Sequence, residues 1–156
     1  MKKALLIFLC VFALDRITKY IVVSKIPYGH DVNVVGEFVR ITHVRNPNSL
    51  WSISLGERFP YVFVGLLALI LLTTLIVEAI KSRQEGYACV YALLLAGVAG
   101  NILDRIRFKE VIDFIDIGIS PALRWPVFNV ADSAISIGLV LYFIMLVRER
   151  SSKRSK

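Results

Sequence analysis

Two aspartates, Asp113 and Asp132, stand nineteen positions apart, the first framed by apolar residues in Val111-Ile112-Asp113-Phe114 and the second closing Asn129-Val130-Ala131-Asp132. Two carboxylates held together in a partly dry site do not both ionise cheaply. One keeps its proton, which leaves one base and one acid. Such a pair can hydrolyse a peptide: the ionised member takes a proton from water, and the protonated member hydrogen-bonds the scissile carbonyl. Held apart, the same residues are two solvated carboxylates at loop ends. Other catalytic toolkits are thinner. His30 and His43 share no metal-binding spacing and have no Cys nearby. They read as loop residues without chemistry, and neither a metal nor an organic cofactor is expected. A Ser–Lys dyad drawn from Ser24 or Ser49 with Lys19 or Lys25 has no supporting motif.

Further polar residues fall on helical faces. Asp15, Thr18 and Lys19 follow i, i+3, i+4. Gly97, Gly100, Asn101, Asp104 and Arg105 extend the same spacing, and so do Asn129, Asp132, Ser133 and Ser136. Each set therefore lies on one side of its helix. Each also admits a plainer role. Asp15 with Lys19 is a structural ion pair or part of a site, Gly97 with Gly100 is a close-packing surface or a ligand contact, and Asn101 with Arg105 ties helices together or lines a site.

The elements that must hold these residues are set by hydropathy. Of 156 residues 56% are hydrophobic and 20% charged, and the mean hydropathy is +0.66. The apolar residues gather into four blocks, about 4–23, 61–80, 87–106 and 128–147. Twenty residues of helix rise about 30 Å, the thickness of a bilayer's hydrocarbon core. The expected fold is an all-α membrane protein: a single domain of four transmembrane helices, with a small β-rich insertion between the first two. Disorder, collagen-like repeats and an ordinary soluble enzyme are excluded. Ionisable residues inside such blocks are expensive, so they turn inward and commonly serve function. The second block has only Thr73 and Thr74 in its middle and reads as a packing element.

Charge sets the orientation. The N-terminus, the Lys81–Gly86 turn and the basic tail 148–156 hold nine Lys or Arg in fewer than 20 residues, whereas the loops 24–60 and 107–127 hold seven in 58. The basic segments belong in the cytoplasm, so both termini face inside and both loops face out. The net charge of +7 concentrates in the tail beside anionic lipid, and no nucleic-acid partner is expected. Met1-Lys2-Lys3 resembles the start of a cleavable signal peptide, but Phe8 and Leu9 precede Cys10 where a processing site needs small residues, so the segment is read as a retained helix. Cys10 and Cys89 each lie inside a block and are not expected to pair. Val32–Val44 is rich in Val, Phe, Ile and Thr and predicts a small outer sheet, followed by the Asn46-Pro47-Asn48 turn. Leu50, Trp51, Ile53 and Leu55 then form a short stretch suited to lying on the membrane as a lid. With the third helix running outward, Asp104 lies about 26 Å from its inner end, and Asp132 opens the fourth. Asp113 and Asp132 are thus expected to meet at the outer surface.

Taken in order, these segments resemble the lipoprotein signal peptidase (type II signal peptidase) family. The resemblance runs through Asp15-Arg16-Ile17-Thr18-Lys19, Asn46, Gly97-Val98-Ala99-Gly100-Asn101-Ile102-Leu103-Asp104-Arg105, Val111-Ile112-Asp113-Phe114 and Trp125-Pro126-Val127-Phe128-Asn129-Val130-Ala131-Asp132. It implies an intramembrane aspartic endopeptidase of the bacterial inner membrane, with Asp113 and Asp132 as the catalytic pair. Asp15, Asn46, Asn101, Arg105 and Asn129 would support or line the site; Lys19, Gly97 and Asp104 join them as residues of the same faces. The implied substrate is a diacylglyceryl-modified prolipoprotein cut just before its lipidated cysteine, by an enzyme that works as a monomer in membrane lipid. One position departs, since the family's Asn-x-Gly reads Asn46-Pro47-Asn48 here. Asn tolerates positive φ best among non-glycine residues, while Pro47 fixes φ and removes a donor. Two other classes fit some of these residues: a small proton-coupled transporter or channel subunit with Asp15, Asp104 and Arg105 as a relay, and a noncatalytic membrane scaffold.

Overall fold

The computed structural model describes residues 2–47, 73, 77 and 85–154. The expected helix at 61–80 falls outside them apart from Thr73 and Val77, as do Asn48 and the expected lid stretch at 50–55. The described elements run α1 (Lys2–Lys25), β1 (Asp31–Val35), β2 (Val39–Asn46), α2 (Glu85–Phe108), β3 (Val111–Ser120), β4 (Leu123–Arg124) and α3 (Val130–Arg154). Each helix is bounded by local chemistry. α1 has no Gly or Pro and stops two residues before Pro27, where the residue preceding a proline is driven out of the helical region. α2 opens on Glu85 and carries Arg105 and Arg107 in its last turn, charges that suit the two ends of the helix dipole. It closes with Lys109 at φ 64°, a left-handed residue just past the helix end whose N–H reaches back 3.0 Å to the Arg105 carbonyl.

α2 packs against both α1 and α3, which touch each other less. Val90, Tyr91, Leu94 and Val98 form the α2 side of the α2–α3 core, with Ile135, Tyr142 and Met145 opposite. The polarity of the bundle is inverted relative to a water-soluble fold. Asp15, Asp104 and Asn129 are 0% exposed and Lys19 is 2% exposed, whereas Leu5, Leu6, Leu9, Leu14 and Ile17 on α1 and Ile137, Leu139, Val140 and Phe143 on α3 are exposed. An apolar outer surface around a charged interior suits a hydrocarbon solvent. Among the described residues, 85–108 and 130–151 are long and apolar enough to cross a membrane.

Four strands form one antiparallel sheet in the order β1-β2-β3-β4. This corrects the expectation of an insertion confined to the segment after the first helix. β3 and β4 come from the second outer loop, 107–127, to which the sequence reading assigns no strand, and β3 pairs along β2 from Val39↔Ile117 to Asn46↔Val111. The reason lies in Val111–Ser120, where Val, Phe and four isoleucines leave backbone groups that need a ladder. A second correction concerns the C-terminus: α3 continues through the expected tail as far as Arg154. Ser, Lys and Arg tolerate helix, and no Gly or Pro stops it. Gly118 is needed where β3 pairs with Arg124 of β4, because a Cβ there would stand 2.5 Å from Arg124 Cγ. Arg124 in turn clamps Asp116, with its Nε donating at 2.7 Å and 2.9 Å to the two carboxylate oxygens.

Candidate active site

The start of α3 fixes the centre of the site. Asn129 Oδ1 accepts the Asp132 N–H at 2.9 Å, and Asp132 Oδ2 accepts the Asn129 N–H at 3.1 Å. This is a reciprocal capping box, which satisfies donors that a helix start leaves orphaned. The Ala131 N–H is taken from another helix, by Asp15 Oδ1 at 3.1 Å. Asp132 is thus held at both ends of its own turn.

Asp113 comes from β3, opposite Val44 of β2, and is 3% exposed. Its Oδ1 accepts from Asn129 Nδ2 at 2.7 Å, and its Oδ2 from Asn46 Nδ2 at 3.0 Å. Asn129 therefore touches both aspartates: its side-chain amide donates to the strand carboxylate and its backbone N–H to the helix carboxylate. Burial pushes Asp113 up to about 6 from the usual aspartate value of 3.8, and the negative charge of Asp132 adds to the rise. Donation from Asn46 and Asn129 and the charge of Lys19 oppose it. Both Asp132 oxygens are likewise engaged, since Asn101 Nδ2 donates to Oδ1 at 2.7 Å. Arg105 lies within electrostatic reach of Asp132, Asp113 and Asp104, and its Nη1 sits 3.5 Å from the Asn101 carbonyl.

Behind this pair is an ion cluster. Lys19 Nζ contacts Asp104 Oδ2 at 2.7 Å and Asp15 Oδ1 at 3.1 Å. Arg16 contacts Asp104 Oδ1 at 2.6 Å, pairs with Asp15 and donates to the Gly100 carbonyl at 2.9 Å. Two acids and two bases balance there, which a low-dielectric interior requires. Gly100 makes room for it, because a Cβ there would stand 2.7 Å from Asp15 Oδ2.

Of the residues expected from sequence, Asp15, Lys19, Asn46, Asn101, Asp104, Asp113, Asn129 and Asp132 are joined in this one hydrogen-bonded set, with Arg105 beside it. Gly97 lies apart from it. A Cβ there would meet the Ala131 carbonyl oxygen at 2.4 Å and Ile135 Cγ1 at 2.7 Å, so the glycine lets α2 and α3 pack backbone to backbone. Gly97→Ala is expected to destabilise the protein by about 1–3 kcal/mol, read as a lower melting temperature in detergent. Arg16 is a site residue that spacing does not pick out. It lies off the i, i+3, i+4 face of Asp15 and Lys19, and only the length of its side chain brings it to Asp104; the signal available is a third charge inside an apolar block. His43 is buried with its Nδ1 2.9 Å from the Ile26 carbonyl, which pins β2 to the end of α1. Among the described residues no group of three or more His, Cys, Asp or Glu could hold a metal ion.

Long apolar helices packed beside a small sheet form the fold of a membrane enzyme, and solved structures share it. Two, each described as a bacterial membrane enzyme, are both 34% identical to this chain: one superposes with a TM-score of 0.88 over 100% of this chain and 94% of its own, the other with 0.80 over 94% and 93%. The family model for signal peptidase (SPase) II matches residues 7–148. A lipoprotein signal peptidase of Syntrophus aciditrophicus is 38% identical, over 98% of this chain and 99% of that protein. One of Staphylococcus aureus is 36% identical over 98% and 93%. The chain belongs to the signal peptidase II family, and is a peptidase.

Proposed function

We propose that this chain is an aspartic endopeptidase that removes the signal peptide from lipid-modified prolipoproteins, with Asp113 and Asp132 as the catalytic pair. Family membership supports the substrate class, and the relatives named above are lipoprotein signal peptidases. The observation that carries the mechanism is the bridging of Asp113 and Asp132 by Asn129. In this reading the ionised carboxylate takes a proton from water as the water oxygen bonds to the scissile carbonyl carbon. The protonated carboxyl gives its proton to the carbonyl oxygen. Collapse of the tetrahedral intermediate breaks the C–N bond, and the leaving amine takes a proton from the pair. Asn46, Asn101, Asn129 and Arg105 hold the two acids, while Asp15 caps the helix that carries Asp132. Nothing in the comparisons supports the transporter reading, and the buried charges of Asp15 and Asp104 on which it relied are engaged in balanced ion pairs.

The remaining expectations belong to the same proposal. Four helices span the inner membrane with both termini in the cytoplasm, residues 61–80 form the second, and the sheet and the carboxylate pair lie at the outer face. The single domain works as a monomer surrounded by lipid and needs no cofactor. A signal segment and acyl chains then stay in hydrocarbon while the scissile bond meets the pair at the boundary. Purified protein incubated with a lipidated prolipoprotein is expected to release the signal peptide just before the modified cysteine. Intact substrate after prolonged incubation counts against the proposal.

A further inference from the structure

Lys19 and Asn101 connect the buried ion cluster to the carboxylate pair, and the reaction just described gives Lys19 no part. A lysine ammonium donates and never accepts. Besides its two carboxylates, Lys19 Nζ donates to Asn101 Oδ1 at 3.0 Å, and the same oxygen accepts from Asn129 Nδ2 at 3.1 Å. With its oxygen so engaged, the Asn101 amide has one orientation, in which its NH2 faces Asp132 Oδ1 at 2.7 Å. Asn129 is fixed the same way. Its oxygen takes the Asp132 N–H, so its NH2 faces Asp113 Oδ1. An amide in isolation can turn end for end, exchanging donor for acceptor. Here direction runs one way, from a cation that only donates to carboxylates that accept.

We propose that Lys19 is a positioning residue for the reaction, acting through Asn101 to present amide donors to the carboxylate pair, in addition to neutralising Asp15 and Asp104. This rests on the reading of Asp113 and Asp132 as the hydrolytic pair. The charged groups facing that pair are Lys19 from α1 and Arg105 from α2, with each aspartate facing the other from β3 and α3. The positive charge of Lys19 holds Asp113 down, so removing it moves the titration of Asp113 upward.

A purely structural Lys19 would only balance charge, and one variant separates the two roles. Lys19→Met combined with Asp104→Asn removes one cation and one anion and leaves Asp15 paired with Arg16. Expected is a folded protein with KM near wild type, kcat lower by on the order of 10- to 100-fold, and a pH profile displaced upward. Adding Asn101→Leu to that background is expected to lower kcat little further, because the link is already cut. Wild-type kcat and pH profile in the double variant, or a full multiplicative loss on adding Asn101→Leu, overturns the proposal. If the double variant does not fold, Lys19→Arg decides, because it keeps the charge against Asp15 and Asp104 and alters only where the donor reaches: a lower kcat supports the link, and wild-type kcat overturns it. Asp132→Asn assayed in parallel keeps the two readings apart. Activity in that variant refutes the carboxylate pair and the link with it. Its inactivity alongside an unaltered double variant refutes the link alone.

Discussion

Asp113→Asn and Asp132→Asn are each expected to reduce cleavage of a lipid-modified prolipoprotein by on the order of a thousandfold or more, because each removes one half of an acid–base pair. Neither is expected to prevent folding. An asparagine in place of Asp132 retains an oxygen able to accept the Asn129 N–H, and one in place of Asp113 keeps its oxygen on the Asn129 NH2 while the Asn46 amide turns to meet its own NH2. Asp113→Asn carries a second signature. Wild-type Asp113 is raised to about 6, so the folded protein holds a proton at about pH 5 that the unfolded chain has released. By linkage, stability is greatest below the ordinary carboxylate pKa and falls as pH rises through about 4 to 6. The substituted amide does not titrate and has no such dependence. The variant is therefore expected to gain on wild type as pH increases, by up to about 2–3 kcal/mol at pH 7, seen as a widening difference in melting temperature in detergent. Full activity in Asp113→Asn rules out the mechanism, and parallel melting curves rule out the burial of an ionisable Asp113.

Arg16→Met is expected to be the most destabilising single change in α1. It leaves Asp15 and Asp104 facing Lys19 alone, and removing one partner from a buried ion set costs about 3–5 kcal/mol. Activity falls with it, because Asp15 holds the Ala131 N–H at the start of the helix that bears Asp132. Pairing Arg16→Met with Asp104→Leu restores the balance of one acid to one base and is expected to recover most of the lost stability. If Arg16→Met melts with wild type, the cluster is not holding the helices together. If the paired variant melts no higher than Arg16→Met, charge balance is not what the cluster supplies.

Much of this site is legible in the sequence because a membrane makes charge conspicuous. Asp15, Lys19, Asn101, Asp104, Asn129 and Asp132 stand out as polar residues at helical spacing within apolar runs, and Asp113 as a carboxylate between β-branched and aromatic neighbours. Helical periodicity reports a face and not the reach of a side chain, which is why Arg16 escapes it. It also says nothing about which segments pair across a long gap. β3 reads as a connection because its partner, β2, lies some seventy residues earlier in the chain, and a ladder between distant strands leaves no local spacing to detect. Gly97 and Gly100 are recognisable as a small-residue surface, but their different duties depend on what lies opposite: a backbone oxygen for one and a carboxylate for the other.

The bond from Asp15 to the Ala131 amide joins residues 116 positions apart, and it has a bearing on how the protein is made. The ribosome completes the helix that supplies the carboxylate long before the helix that receives it. A nascent chain still lacking α3 lacks Asp132 itself, so in the proposed mechanism hydrolytic competence arrives only once that helix has been translated and docked against Asp15. In the proposed mechanism, fragments that stop short of it carry one carboxylate of the pair and are inert.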